Sequence, residues 1–244
     1  MKKIISKLMG GVLLFSLSMS LTSCDPYLDD VLGEWSRPTP GNVTPGTDEG
    51  EVTSITVDLS KIDEKYLGSV VCSDGNVYPA KTAAPSGKTA VGILGKVTAT
   101  GHGLILALQD ATQQSWNTTI NGWTSVDTYA GTTLKQLPAG ALGSLTSYTT
   151  LGSTAVSDWC VAQKSDYDAI FTNLGSAKYD SDGYTYDANV NAYITTGVGG
   201  TAISVSDVYW SATEDGSNVW AFSSDFWNRS GKSYSRSLRP VLGF

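Results

Sequence analysis

The sequence predicts an α+β domain of mixed antiparallel strands with one or two helices and long loops, on three observations. Past its N-terminal segment the chain is rich in Gly, Ser, Thr, Tyr and Trp and short of Lys, Glu and Met, which favours strands and turns over long helices. The runs Val91-Gly92-Ile93-Leu94-Gly95-Lys96-Val97 and Gly103-Leu104-Ile105-Leu106-Ala107-Leu108 are nearly all apolar, the pattern of central strands buried on both faces. A single stretch, residues 165–175, carries a convincing helical stripe.

The chain opens with Lys2, Lys3 and Lys7, followed by an apolar run from Leu8 to Leu21. A bilayer-spanning helix needs about 20 apolar residues, so this shorter run fits the core of an export signal. It ends in Leu21-Thr22-Ser23-Cys24, which resembles a bacterial lipobox. That resemblance implies a signal peptide over 1–23, cleavage before Cys24, and a diacylglyceryl anchor on the Cys24 thiol. Anchoring is strong because each buried CH₂ contributes roughly 0.8 kcal/mol. The expected location is the cell envelope, lipid-anchored to the outer membrane and surface-exposed. The acidic residues after Cys24 resemble surface-export signals of some Gram-negative lipoproteins.

The full chain has 16 basic and 23 acidic residues, a net charge of −7. Cleavage removes three lysines and no acid, leaving 13 basic against 23 acidic residues, a net of −10. Such a surface repels phosphate backbones, so nucleic acid is excluded as a partner. Residues 24–50 read as a tether: Asp25, Asp29, Asp30 and Glu34 come first, then Pro/Gly-rich stretches with little to bury. Residues 51–244 form the domain. With Cys24 acylated, Cys72 and Cys160 remain as a candidate disulfide pair, and equally as two buried thiols. Two cysteines and one histidine, widely scattered, give no zinc-ligand spacing.

Within the domain, Ser73-Asp74-Gly75-Asn76 between Val70-Val71-Cys72 and Val77-Tyr78 predicts a hairpin with a type I′ turn. Leu134, Leu137, Ala141, Leu142 and Leu145 suggest a helical face that Pro138 weakens. Ser165 is the expected N-cap of the helix, with Asp168 in its first turn, the stripe Tyr167, Ile170, Phe171 and Leu174, and Gly175 as its stop. Residues 175–206 read as long loops anchored by Tyr179, Tyr184, Tyr186 and Tyr193. Strands return at Val208-Tyr209-Trp210, at 218–222 and at 236–242.

Three stretches together resemble one family. They are Gly101-His102-Gly103-Leu104 running into Ala107-Leu108-Gln109-Asp110, then Asp158-Trp159-Cys160 leading into the helix, then a C-terminal set. That set is Tyr209-Trp210-Ser211-Ala212-Thr213-Glu214, Val219-Trp220-Ala221-Phe222 and Arg236-Ser237-Leu238-Arg239-Pro240-Val241. Their order is similar to surface lipoproteins with a C-type-lectin-like domain. That group includes formylglycine-generating-enzyme-like folds and the variable proteins of diversity-generating retroelements. The similarity covers about residues 70–244. It departs where the family often has Trp-x-Leu-Pro and this chain has Trp159-Cys160-Val161-Ala162-Gln163.

The resemblance implies a C-type-lectin-like fold whose framework strands hold up an irregular C-terminal region, diversified in the retroelement branch. Adenine-directed mutation of Asn-type codons yields Asn, Ser, Asp, Gly, Tyr, Arg and Phe, but not Trp, Lys or Glu. Segments 215–218, 223–226, 228–231 and 233–235 fall in the permitted set, while Trp220, Trp227 and Lys232 are of the kinds a template keeps fixed. An ordinary polar loop has much the same composition. The expected ligand-binding residues are Asp215, Ser217, Ser223, Asp225, Phe226, Trp227, Asn228, Arg229, Ser230, Ser233 and Tyr234. Rigid aromatics and Arg among small polar residues suit recognition of a protein or glycan on another cell, phage or host surface. Trp220, alternating with Phe222, reads as a core pillar; Trp227 reads equally as pillar or contact.

No catalytic set is legible. His102, the one histidine, sits between glycines without a phosphate-loop pattern or a partner nucleophile. Asp180-Ser181-Asp182-Gly183 resembles the start of a calcium loop but lacks its downstream Glu, which leaves a structural calcium as a minor reading and no other cofactor. Two other classes stay open. An enzyme related to formylglycine-generating or sulfur-transferring enzymes would bring His102 and a Cys to one cleft. A fibre subunit would expose an apolar edge strand or groove.

Overall fold

The computed structural model describes residues 57–116, 125–129 and 131–244. The expected signal peptide, Cys24 and the tether over 24–50 lie outside the described residues. The chain begins its described part with Val57–Asp58 (β1), then Val70–Cys72 (β2) and Asn76–Tyr78 (β3). The β2–β3 connection corrects the expected two-residue turn. Val71 faces Val77, and Gly75 N–H donates to Cys72 O at 3.0 Å. Gly75 alone takes a left-handed φ, +78°, so the loop is a three-residue turn, and Asp74 needs no positive φ.

The two apolar runs become Ala90–Ala99 (β4) and His102–Ala107 (β5), and Ala111–Ser115 is β6. Ser125–Tyr129 (β7) and Thr132–Gln136 (β8) follow. The helical face suggested near Leu134 is therefore a strand, ended by Pro138 and a single 3₁₀ turn at Ala139–Ala141. Thr150–Leu151 (β9) and Thr154–Ala155 (β10) make a small ribbon, and Trp159–Val161 is β11. Asp158 enters β11 with φ +60°, a conformation Asp tolerates. Its Oδ1 accepts the Trp159 and Tyr148 N–H groups at 2.8 and 3.1 Å.

The expected helix is Lys164–Asn173 (α1). Its cap is Gln163 in place of Ser165: the Asp166 carboxylate accepts the Gln163 N–H at 3.1 Å. The stripe Tyr167, Ile170, Phe171 and Leu174 is wholly buried, as its spacing requires. After it come Tyr179–Asp180 (β12), Gly183–Tyr184 (β13) and Ala188–Thr195 (α2). This second helix lies in the stretch read as loops. Asp187 caps it by accepting from Asn189 N–H at 2.8 Å, and Val190 and Ile194 are its buried face.

The C-terminal strands are Tyr209–Asp215 (β14), Asn218–Phe222 (β15), Trp227–Gly231 (β16), Ser235–Leu238 (β17) and Val241–Gly243 (β18). The run 236–242 splits at Arg239-Pro240 because Pro has no N–H for a ladder. Among the described residues the strands form a nine-stranded sheet, β1-β3-β2-β4-β5-β18-β11-β8-β7, and a five-stranded sheet, β16-β15-β14-β17-β6. The fold is thus α+β and mostly antiparallel, with two helices among the described residues. As expected, β4 and β5 are central, and Val91, Ile93, Leu94 and Leu104 to Ala107 are buried.

Helix α1 packs on β4 at a glycine. A Cβ on Gly95 would stand 2.8 Å from Ile170 Cγ2, and Asn173 Nδ2 donates to Gly95 O at 3.0 Å. Gly95→Ala is expected to lower stability by about 1–3 kcal/mol, the cost of overpacking, read as a lower denaturation midpoint at unchanged m-value.

Candidate functional site

The hairpin β15–β16 is the centre of the expected binding segment, and its register decides which side chains face out. Phe222 pairs with Trp227 and Trp220 with Arg229 on one face; Ala221 pairs with Asn228 and Val219 with Ser230 on the other. Phe222 belongs to an aromatic cluster. Its ring stacks on Tyr209 at 5.3 Å and meets Tyr167 at 4.8 Å, Phe171 at 5.2 Å and Trp227 at 5.2 Å.

Trp227 is a pillar. It is 3% exposed, its Nε1 donates to Tyr184 O at 2.8 Å and Asp168 Oδ1 at 3.0 Å, and its backbone N–H donates to Asp180 Oδ2 at 2.7 Å. Trp220, expected as a pillar, is only partly buried. Two cations stand near its ring, Arg229 at 5.2 Å and Lys164 at 5.7 Å from the ring centre. Lys164 also stands 4.6 Å over Trp227 and pairs with Asp168 at 2.8 Å.

Ser223 and Ser230 are likewise inward, contrary to the expected surface. Ser223 builds the loop: its N–H donates to Phe226 O at 3.0 Å, and its Oγ accepts the Phe226 N–H at 3.4 Å. Ser230 Oγ accepts two N–H groups of Arg236, at 3.1 and 3.0 Å. Asn228 is partly buried, with its Oδ1 unpartnered.

The residues that do face solvent are Asp215, Ser217, Asp225, Phe226, Arg229, Ser233 and Tyr234. They fall into two groups at opposite ends of β16, a strand roughly 13 Å long at about 3.3 Å per residue. At the Gly231 end stand Asp215, Ser217, Ser233 and Tyr234, since Asn218 pairs with both Asp215 and Gly231. Arg229, in mid-strand, reaches toward this end and pairs with Asp215 at 2.8 Å. At the Trp227 end stand Asp225 and Phe226. Segment 178–180 runs beside this loop, joined by the Lys178–Asp225 ion pair at 2.9 Å and by the Asp180 bond to Trp227. The pair holds the Asp225 carboxyl below its ordinary range, mainly through the Lys178 hydrogen bond.

Sequence reasoning missed Lys178 and Val205 as site neighbours. Val205 is 73% exposed, and its carbonyl accepts the Ser224 hydroxyl at 3.3 Å. Tyr179, one of the expected loop anchors, is instead 65% exposed beside the same loop. No sequence signal marks Val205. The spacing of Val190 and Ile194 behind Asp187 was the available signal for α2, which brings this region together.

The other candidates lie apart. Asp180 gives both carboxylate oxygens to backbone N–H groups, Oδ1 to Asp182 and Gly183 and Oδ2 to Trp227. His102 is exposed at the start of β5, with Nδ1 3.3 Å from Phe244 O, in a groove of about 440 Å³ that neither cysteine lines. Cys72 on β2 and Cys160 on β11 are both free and buried. Four strand spacings of about 4.8 Å separate these strands, roughly 19 Å, whereas a disulfide needs Cα atoms within about 7 Å. The expected pairing is therefore corrected to two separate thiols. Burial pushes the Cys72 thiol up to about 11 and the Cys160 thiol up to about 12. Both are expected to resist iodoacetamide in the folded protein and to react promptly in denaturant, as counted by mass spectrometry.

No helix among the described residues is long and apolar enough to cross a membrane. Comparison of the chain with family models, curated proteins and solved structures gives no match.

Proposed function

We propose that this chain is a lipid-anchored binding protein of the cell envelope with a C-type-lectin-like domain, which presents its C-terminal hairpin region to a protein or glycan on another cell, phage or host surface. One observation carries the reading. Within 215–235, Trp227, Phe222, Ser223 and Ser230 are locked inward, while Phe226, Tyr234, Arg229, Asp215 and Asp225 stand outward. Exposed aromatics and Arg on a fixed backbone are the side chains from which binding hot spots are made. Such a backbone also tolerates changes at its outward positions, as a diversified segment requires. The order of the framework motifs, from Gly101 to the strands around Arg239-Pro240, supports the lectin-like reading.

Binding is tested with fluorescently labelled protein on bacterial cells and phage particles. Phe226→Ala and Tyr234→Ala are expected to lower adhesion by tenfold or more at unchanged Tm, and comparing them identifies which end of β16 makes contact. Adhesion equal to the parent in both variants would sink the proposal. The anchor is tested by palmitate labelling, which Cys24→Ala should abolish. Diversification predicts a reverse transcriptase gene nearby and a near-copy of codons 210–244 with adenines at the outward positions.

A further inference from the structure

Strand β16 is an edge of the five-stranded sheet, bonded among the described strands to β15 alone. We propose that its open side takes an extended polypeptide strand of a partner protein, with an acidic side chain opposite Arg229. The inference rests on the binding role given above to the C-terminal region and names the partner's chemistry.

The hydrogen bonds of the hairpin decide which backbone groups face that side. Ser223 N–H donates to Phe226 O at 3.0 Å, so this pair is hydrogen-bonded. Antiparallel alternation then makes Ala221–Asn228 and Val219–Ser230 the next bonded pairs. The N–H and C=O groups of Trp227, Arg229 and Gly231 therefore point away from β15. Two contacts agree with this: Trp227 N–H donates to Asp180 Oδ2 at 2.7 Å, and Gly231 O accepts the Tyr234 N–H at 3.1 Å. Those contacts close the two ends of the edge. Between them Trp227 O, Arg229 N–H, Arg229 O and Gly231 N–H have no partner among the described residues.

Edge strands are ordinarily blunted against pairing, and here the blunting stops at the ends and leaves the middle open. What is left alternates acceptor, donor, acceptor, donor at the two-residue pitch of a strand, roughly 6.6 Å. An antiparallel peptide meets all of it. The residue opposite Arg229 exchanges both bonds with it. The residue two before gives its C=O to Gly231 N–H, and the residue two after gives its N–H to Trp227 O. A glycan's hydroxyls hang from rings in no fixed donor–acceptor order, so order and pitch together select a backbone, the mode of strand addition.

The side chain opposite Arg229 lies on the same face of the sheet, its Cβ about 5 Å away. The Arg229 side chain is 61% exposed, and its Nε pairs with Asp215 at 2.8 Å. Its remaining N–H groups have no partner among the described residues and suit a carboxylate, which accepts two of them side by side. A second copy of this chain fits worse. Two β16 strands paired about a twofold axis would set two Arg229 side chains directly opposite each other, which like charge disfavours. They would also need Trp227 N–H and Gly231 O, both already engaged, to bond to one another.

The test uses the full chain with Cys24→Ser, ¹⁵N-labelled, with amide exchange read by NMR. In the free protein the Arg229 and Gly231 amides should exchange about tenfold or more faster than those of Asn228 and Ser230, which bond to β15. The probes are the peptide acetyl-Thr-Val-Glu-Val-Thr-amide, its form N-methylated at Glu, its form with Lys in place of Glu, and chitobiose. The first peptide is expected to shift and slow the Arg229 and Gly231 amides saturably, with Kd on the order of a millimolar, since few hydrogen bonds work against the cost of ordering the peptide. The Lys form should bind about tenfold more weakly, and the N-methylated form, which has lost the N–H for Arg229 O, should not bind. Arg229→Pro removes an N–H that no described residue uses, at an edge position that tolerates Pro, and should abolish peptide binding. Equal binding of the N-methylated form would overturn the proposal, as would saturation by chitobiose and not by the peptide, or by no probe. Slow Arg229 exchange in the free protein together with a dimer by light scattering would give the edge to a second copy and also overturn it. Loss of adhesion in the Phe226 and Tyr234 variants without peptide binding would refute the edge site alone. Peptide binding while those variants adhere normally would refute only the exposed-aromatic reading.

Discussion

Trp227→Ala is expected to cost about 3–5 kcal/mol of stability, whereas Phe226→Ala, one residue earlier, changes it by no more than about 0.5 kcal/mol. The difference lies in which way each side chain points. Removing the Trp227 indole opens a cavity against Phe222 and takes the donor from Asp168 and from the Tyr184 carbonyl. Phe226 is 45% exposed, and its loss leaves no such cavity. At about 2–4 °C per kcal/mol for a domain of this size, Trp227→Ala should melt roughly 6–20 °C below the parent. Equal melting temperatures for the two variants would mean that Trp227 is not a framework residue.

Arg239→Met is expected to be as damaging, by about 3–5 kcal/mol, because it strands a charge. Arg239 is fully buried, with its Nε 2.8 Å from Asp110 Oδ1. That contact is a charge pairing rather than an aligned hydrogen bond; the guanidinium also donates to Thr201 O at 2.9 Å and Ala107 O at 3.3 Å. Tyr209 donates to the other Asp110 oxygen at 3.0 Å. The network ties the end of β17 to the β5–β6 connection and to the chain after α2.

Burial already raises the Asp110 carboxyl above its ordinary 3.8, with Arg239 pulling the other way. Without Arg239 it rises further. A carboxyl raised in the folded state favours folding below its unfolded pKa and loses that advantage as pH rises through the folded value. The deficit of Arg239→Met should therefore shrink as pH falls from 7 toward 4, measured by urea denaturation across pH. A second substitution, Asp110→Leu, should recover part of the loss at pH 7 by removing the stranded charge. A double variant no more stable than Arg239→Met would show that the pairing is not the cause.

Much of this molecule was written locally. The apolar runs at 91–97 and 103–108 pointed to central strands because each is short, nearly free of polar positions and separated from the other by a turn that Gly101 and Gly103 bracket. The stripe from Tyr167 to Leu174 dictated α1, and Asn218 to Phe222 dictated β15. Local signals were weaker where one side chain served two readings. Gln163 displaced Ser165 as cap because Asp166 reaches back to its N–H. The leucines near 134 had a spacing loose enough for a helix, and pairing with β7 and β11 made them a strand.

The sequence by itself determined the strand-rich α+β class, the central strands, the first helix and the aromatic, small-polar composition of the C-terminal segment. Only the tertiary structure decided which residues of that segment look outward. It put Trp227, Ser223 and Ser230 inside, divided the rest between the two ends of β16, and drew Lys178, Tyr179 and Val205 to one of them. The physical reason is that composition and period are properties of neighbouring residues. Facing is fixed instead by strand register and by partners 43 to 59 positions away, such as the Tyr184 carbonyl and the Asp168 carboxylate that hold the Trp227 indole.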